Sequence, residues 1–130
     1  MACVVLIVSA EDHIRRILNF QLDKHEYATL TASGSDEALA TLSIHRPDLI
    51  VVASSPDIDG AALCRTIHSD ARFEDIPIIV MSPKAELQTR LEALEAGAID
   101  FLVIPYSNEE LLLRIYRILD YGDKIRSRRP

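Results

Sequence analysis

The sequence predicts a doubly wound α/β domain, and two observations carry that expectation. Short apolar runs rich in Val and Ile alternate five times with amphipathic helical patterns along the chain. The connections between them are short, so each run must be followed by a right-handed crossover that returns the next one parallel to it. Helices then cover both faces of one parallel sheet. A length of 130 residues supports one such domain with a core that needs neither disulfide nor metal.

Each element has its own signature. Val4 to Val8 is a continuous apolar run, as a strand covered on both faces requires, and Leu49 to Val52, Ile78 to Met81 and Phe101 to Ile104 repeat it. Tyr27 to Thr31 alternates polar with apolar residues, which suits a half-exposed edge strand. Between the runs, Ile14, Ile17, Leu18 and Leu22 form one apolar helical stripe and Ala38, Leu39 and Leu42 a second. A short helix is expected over Gly60 to His68. Leu87, Leu91 and Leu94 share one face of the fourth helix, and Gly97 follows where a left-handed cap is wanted. Ser107-Asn108-Glu109-Glu110 reads as a capping box, with Ser107 accepting from the Glu110 amide while Glu110 reaches back. Beyond it, Leu111, Leu112, Ile115, Ile118 and Leu119 make a core face. Leu113 and Tyr116 are left pointing outward beside Arg117 and Asp120.

Composition excludes several classes. With 48% hydrophobic and 26% charged residues the chain is an ordinary globular one, not disordered or collagenous. No apolar run approaches membrane-spanning length, and the amino terminus meets Glu11 and Asp12 without a basic region, unlike a signal peptide. A cytoplasmic location is expected, with Cys3 and Cys64 as reduced core thiols. The net charge of −6 is uneven: from Arg114 onward six basic residues face two acidic ones, a net +4, leaving −10 in the rest. The bulk of the domain therefore repels nucleic acid, and neither nucleic acid nor membrane is an expected partner. Residues 1–122 are read as the domain, and 123–130 as a basic tail or the start of a linker to an output domain.

In doubly wound folds, ligands sit outside the carboxyl ends of the strands. The segments to inspect are Ser9 to Asp12, Ala53 to Asp59, Ser82 to Lys84 and Ile104 to Pro105. No Gly-rich phosphate loop, nucleophile elbow or paired-acid motif occurs in the chain. His13, His25, His45 and His68 lack metal-ligand spacing and are expected at exposed helix ends. Asp57 and Asp59 read as turn and N-cap residues before Gly60, and Ser54 and Ser55 as members of a hydrogen-bonded loop.

Six segments together resemble the receiver domain of bacterial response regulators, and the likeness to the chemotaxis response regulator runs over residues 3 to about 120. They are Val5-Leu6-Ile7-Val8 with Ile14-Arg15, Arg46-Pro47-Asp48-Leu49-Ile50, Pro56-Asp57-Ile58-Asp59-Gly60, Ile76-Pro77-Ile78-Ile79, Ala96-Gly97-Ala98-Ile99-Asp100-Phe101 and Pro105-Tyr106-Ser107. The resemblance implies a flavodoxin-like sheet in the order 2-1-3-4-5 and a Mg²⁺-dependent phosphoaspartate switch. Matched one by one, the active positions depart from that switch. The family's pair of metal-holding acids falls on Ser9 and Ala10, with only Glu11 acidic beside them. Its phospho-accepting aspartate falls on Ala53, or on Val52 if the shortened loop before Pro56 is placed earlier. Its lysine falls on Ile104, before a Pro105 for which the resemblance implies a cis bond. Ser82 retains the hydroxyl after the fourth strand but is followed by Pro83, and Phe101 matches the switch aromatic while reading here as core.

Phosphoryl transfer to a carboxylate needs a nucleophile, a hard cation and a positive group that holds the product's charge. All three providers are replaced, so the expectation is a pseudo-receiver that is not an enzyme and uses no metal or cofactor. It would act by protein contacts, with a partner, a fused output domain or a second copy. The fourth helix, fifth strand and fifth helix would supply the face, through Leu113, Tyr116, Arg117 and Asp120, with Thr89, Glu92 and Ala93 at its other side. The alternative is a small-molecule sensor that uses the vacated pocket among Ser9, Ala53, Ser82 and Ile104.

Overall fold

Strands of Val, Ile and Leu occupy the middle of the molecule because only residues with no polar side-chain atoms can be covered on both faces. In the computed structural model, which describes residues 3–104 and 107–121, the elements run β1 (Val4–Val8), α1 (Asp12–Lys24), β2 (Ala28–Ala32), α2 (Ser35–Leu42), β3 (Leu49–Ala53), α3 (Gly60–His68), β4 (Ile78–Ser82), α4 (Leu87–Glu95), β5 (Asp100–Val103) and α5 (Asn108–Tyr116). The sheet is parallel throughout, in the order β2-β1-β3-β4-β5. This is the architecture expected from the alternation. Register pairs Val8 with both Ala32 and Val52, Ala53 with Met81, and Ser82 with Val103, so the carboxyl ends of the strands form one continuous rim.

Alternate strand residues feed two cores. Leu6, Val8, Ile50, Val52, Ile78 and Val80 pack with α2, α3 and α4 on one face. Val5, Ile7, Val51, Ile79 and Met81 pack with Leu18 and Leu22 of α1 and with Leu111, Ile115 and Leu119 on the other. The edge strand β2 is exposed at Ala28 and buried at Ala32, the half-exposed pattern its alternation implied.

The fourth helix departs from expectation. Leu87, Leu91 and Leu94 do share one side of α4, but that side faces solvent, at 69%, 40% and 44% exposure. Ala93 and Ala96 are buried instead, and their small side chains let the chain approach β5 closely.

The capping box is half formed. Ser107 Oγ accepts from the Glu110 N–H at 3.0 Å, but the Glu110 carboxylate turns forward to Arg114 at 2.9 Å, one helical turn on, where an ion pair competes for it. His68 is also not simply an exposed helix end: its Nε2 lies 2.8 Å from the Ile76 carbonyl oxygen. Gly97 has φ +106°, and a Cβ there would strike the His68 ring, so the chain needs glycine at this cap.

After Tyr116 the helix widens into a π-helical turn over Arg117–Tyr121. The Tyr27 hydroxyl donates to Asp120 within that turn, tying it to the start of β2.

Candidate functional site

The carboxyl rim gathers the ends of β1, β3 and β4 with the loops that follow them. Ser9, directly after β1, is 2% exposed, and its own chain engages it on every side. Its N–H donates to the Ala32 carbonyl at 3.0 Å, its Oγ accepts from the Glu11 N–H at 3.1 Å, and its carbonyl accepts from Arg15 Nη1 at 2.5 Å. Arg15 also donates to Asp12 at 3.3 Å, so its guanidinium is pinned from two sides. Ala10 is half-buried against the α2–α3–α4 core. The Glu11 carboxylate lies in solvent, 3.7 Å from the exposed His13 imidazole.

Ala53 ends β3 at 6% exposure, within the core on the α1–α5 face, while Val52 is fully buried in the opposite core. Neither of the two alignments puts a carboxylate at the end of β3. Ile104 donates its N–H to the Ser82 carbonyl at 2.8 Å and packs against the α1–α5 core. Pro105 and its expected cis bond lie outside the described residues. Phe101 is 8% exposed in the α2–α3–α4 core, with the Arg90 guanidinium over its ring at 5.8 Å from the centroid. Among the described residues, no group of three His, Cys, Asp or Glu side chains is placed to hold a metal ion.

The β3–α3 loop is rigid for reasons visible residue by residue. Ser55 and Ile58 exchange two backbone hydrogen bonds, at 3.0 and 3.2 Å, and Ser54 donates its N–H to Met81 at 2.7 Å. Ser54 Oγ accepts from the Gly60 N–H at 3.1 Å, and Asp59 Oδ1 accepts from the Ala62 N–H at 3.0 Å, capping α3 as its position implied. Gly60 is needed because a Cβ there would overlap Ser54 Oγ and lie 2.9 Å from Val80 Cγ1.

Of the expected pocket residues Ser9, Ala53, Ser82 and Ile104, the cavity beside the rim is lined by Ser82. The other three are turned into cores or bonded within the chain. This cavity of about 550 Å³ lies to the side, between the β3–α3 loop, the β4–α4 loop and α4.

This fold and rim agree with what the whole sequence matches: the response regulator receiver domain model covers residues 5–116. The chain belongs to the response regulator receiver domain family. It is 37% identical over 122 residues to the probable transcriptional regulator ycf27 of Pyropia yezoensis, covering 93% of this chain and 49% of that protein. It is 35% identical over 116 residues to the transcriptional regulatory protein ResD of Bacillus subtilis, covering 88% of this chain and 47% of that one. The receiver thus spans about half the length of the curated relatives it matches. Among solved structures, it resembles the signal receiver domain of a signal transduction histidine kinase from Syntrophus aciditrophicus, with a TM-score of 0.83, 31% identity, and coverage of 91% of this chain and 90% of that one. Chemotaxis response regulator CheY4 of Vibrio cholerae gives a TM-score of 0.84 at 26% identity, covering 92% of this chain and all of that one.

At the β5 edge of the receiver, Leu113, Tyr116 and Arg117 are exposed as expected, the first two at 58% and 39%. Asp120 is not available there: it is half-buried and held by Tyr27 on the α1 side of the sheet. Ala93 is buried, and Thr89 and Glu92 line the cavity instead. The sequence reading missed what α4 does expose. Leu87, Leu91 and Leu94 are exposed, and the Arg90 guanidinium of the same helix sits over Phe101 of β5. Arg114 hydrogen-bonds to Asp100 and Glu110, fastening α5 to β5, and both partners hold its guanidinium in the charged form. The Cys64 thiol is buried, and desolvation pushes its ionisation up to about 11, as suits an unreactive core thiol.

Proposed function

We propose that this chain is a pseudo-receiver: a cytoplasmic signalling module that does not carry phosphate and works through protein contacts, with a partner, a fused output domain or a second copy. The observation that carries this reading is the Arg15 guanidinium on the Ser9 carbonyl at 2.5 Å. A hard divalent cation needs carboxylate oxygens, and this corner of the rim offers a serine, an alanine and a fixed positive charge. The residues present do not fit Mg²⁺. At the end of β3 the nucleophile's position is taken by a methyl or isopropyl group, and at Ile104 the positive group is taken by an aliphatic one.

The contacts are proposed on the face of α4, β5 and α5. Its apolar part is Leu87, Leu91 and Leu94 on α4 with Leu113 and Tyr116 on α5, and Arg117 is its charged neighbour. That the curated relatives are named transcriptional regulators, and are about twice as long, supports a following output domain as the natural recipient. With no phosphate to shift it, the face holds one dominant arrangement, and binding follows the partner's abundance.

Leu113→Ala and Tyr116→Ala test this face by sedimentation of the chain alone and joined to its following domain. Truncating an anchor costs about 1 to 2 kcal/mol, roughly tenfold in affinity. The expected result is weakened association with an unchanged melting temperature, beside Arg16→Ala on α1 as an unaffected control. Equal loss in control and test variants, or none in either, would contradict the assignment.

A further inference from the structure

The cavity beside the rim has an uneven chemistry that the protein-contact reading does not use. Ser54 Oγ accepts from Gly60, Ser55 Oγ from the Asp57 N–H at 3.2 Å, and Ser82 Oγ from the Lys84 N–H at 3.1 Å. Each hydroxyl has spent a lone pair and still has a proton to give, and no acceptor for these three protons occurs among the described residues. The Lys84 ammonium likewise has no ion pair among the described residues. All four residues line the same cavity.

Its two carboxylates belong to exposed residues, and each accepts one hydrogen bond within its own helix. Asp59 caps α3, and Glu92 Oε1 accepts from Gln88 Nε2 at 3.2 Å. Three hydroxyl protons and the Lys84 side chain therefore line a space whose two carboxylates belong to solvent-exposed residues. The opposite lining is apolar, from Ile58, Ala61, Val80, Ala93 and Phe101. The walls are pre-formed: the turn closed by Ser55 and Ile58 and the bond from Ser54 to Gly60 fix one loop, and the bond from Lys84 to Ser82 fixes the other. A volume of about 550 Å³ is ample for a bicyclic organic molecule.

We propose that this cavity binds a small organic carboxylate with an apolar body, its carboxylate met by Lys84 and the serine hydroxyls and its body laid against Phe101, Val80 and Ile58. The proposal goes beyond the protein-contact function and stands independently of it, because it rests on the cavity lining and not on the α4–β5–α5 face.

An amide NMR titration of the whole chain with naphthoate, with the neutral naphthamide and with acetate tests it. Naphthoate is expected to give saturable shifts at Ser55, Ile58, Lys84 and Ala93. Naphthamide should bind more weakly at the same amides, and acetate alone should leave them unsaturated. Lys84→Gln should weaken naphthoate about fivefold to tenfold and naphthamide hardly at all, since only the former carries a charge for Lys84 to meet. Thr89→Trp, which fills the cavity from a half-buried position on α4, should abolish binding of both while the amides of β1 and β2 keep their positions. The proposal is overturned by absence of saturable shifts, by shifts that survive Thr89→Trp, by equal naphthoate affinity in Lys84→Gln, or by acetate reproducing the naphthoate pattern. None of these outcomes bears on phosphorylation, which is read by mass on the ligand-free chain.

Discussion

The Tyr27 hydroxyl donates to an Asp120 carboxylate oxygen at 2.5 Å, across 93 residues of sequence, and joins the residue before β2 to the π-helical turn after α5. Tyr27 is 9% exposed and packs in the same core as Leu18, Leu22 and Leu119. The bond gives a half-buried carboxylate its partner, and it ties the π-helical turn to the residue before β2. Burial first, then the Asp120 hydrogen bond, pushes Tyr27 ionisation well above its ordinary value of 10.0.

Tyr27→Phe should destabilise the domain by about 1 to 3 kcal/mol, because it leaves Asp120 unpaired, and should lower the melting temperature by several degrees. The sign of the pH dependence follows from the raised ionisation. The folded state keeps a proton that the unfolded chain releases, so the stabilisation is complete below pH 10 and is lost as pH rises above it. Cys64, raised from 9.0 to about 11, adds a loss in the same direction between those values. Thermal melts from neutral pH to about 11 should therefore fall steeply for the parent chain and less steeply for Tyr27→Phe. Parallel curves would show that the bond does not hold the phenol's proton.

Leu91→Gln should change stability by no more than about 0.5 kcal/mol, the ordinary range for a surface substitution. A core leucine truncated to alanine costs about 2 to 5 kcal/mol, so Leu111→Ala, buried at 3% exposure, is the comparison. Chemical denaturation of both variants decides it: a large loss at Leu91 would mean that α4 turns its leucines inward.

Restoring acids by Ala10→Asp with Ala53→Asp should lower the melting temperature in the absence of Mg²⁺. Ala53 is buried among aliphatic side chains, where a carboxylate is desolvated without a partner, and two such charges repel each other. A double variant that melts with the parent in chelator would contradict the reading that the end of β3 is an apolar position that cannot take an unpartnered carboxylate without cost.

Strands β1, β3 and β4 were legible because each is covered on both faces, a demand that continuous apolar runs such as Ile78 to Met81 meet. The leucines of α4 were misplaced for a physical reason: helical spacing tells which residues share a face, not which face meets the sheet. Ala93 and Ala96 carry too little hydrophobic signal to compete with Leu87, Leu91 and Leu94 on paper, yet close packing selects them. The positions of the rim residues could be read from the strand ends, whereas their engagement could not. Arg15 over Ser9, and Tyr27 with Asp120, exist only once separate elements are docked. The cavity was likewise invisible, being the space left among two loops and a helix that are distant in sequence.

Incubation with acetyl phosphate and millimolar Mg²⁺, followed by intact-mass spectrometry, tests the pseudo-receiver reading most directly. Ser9, Ala10, Ala53 and Ile104 offer no carboxylate nucleophile, no metal site and no charge for the product, so the unmodified mass alone is expected. An added mass of about 80 Da that is lost at alkaline pH, as an acyl phosphate is, would contradict it.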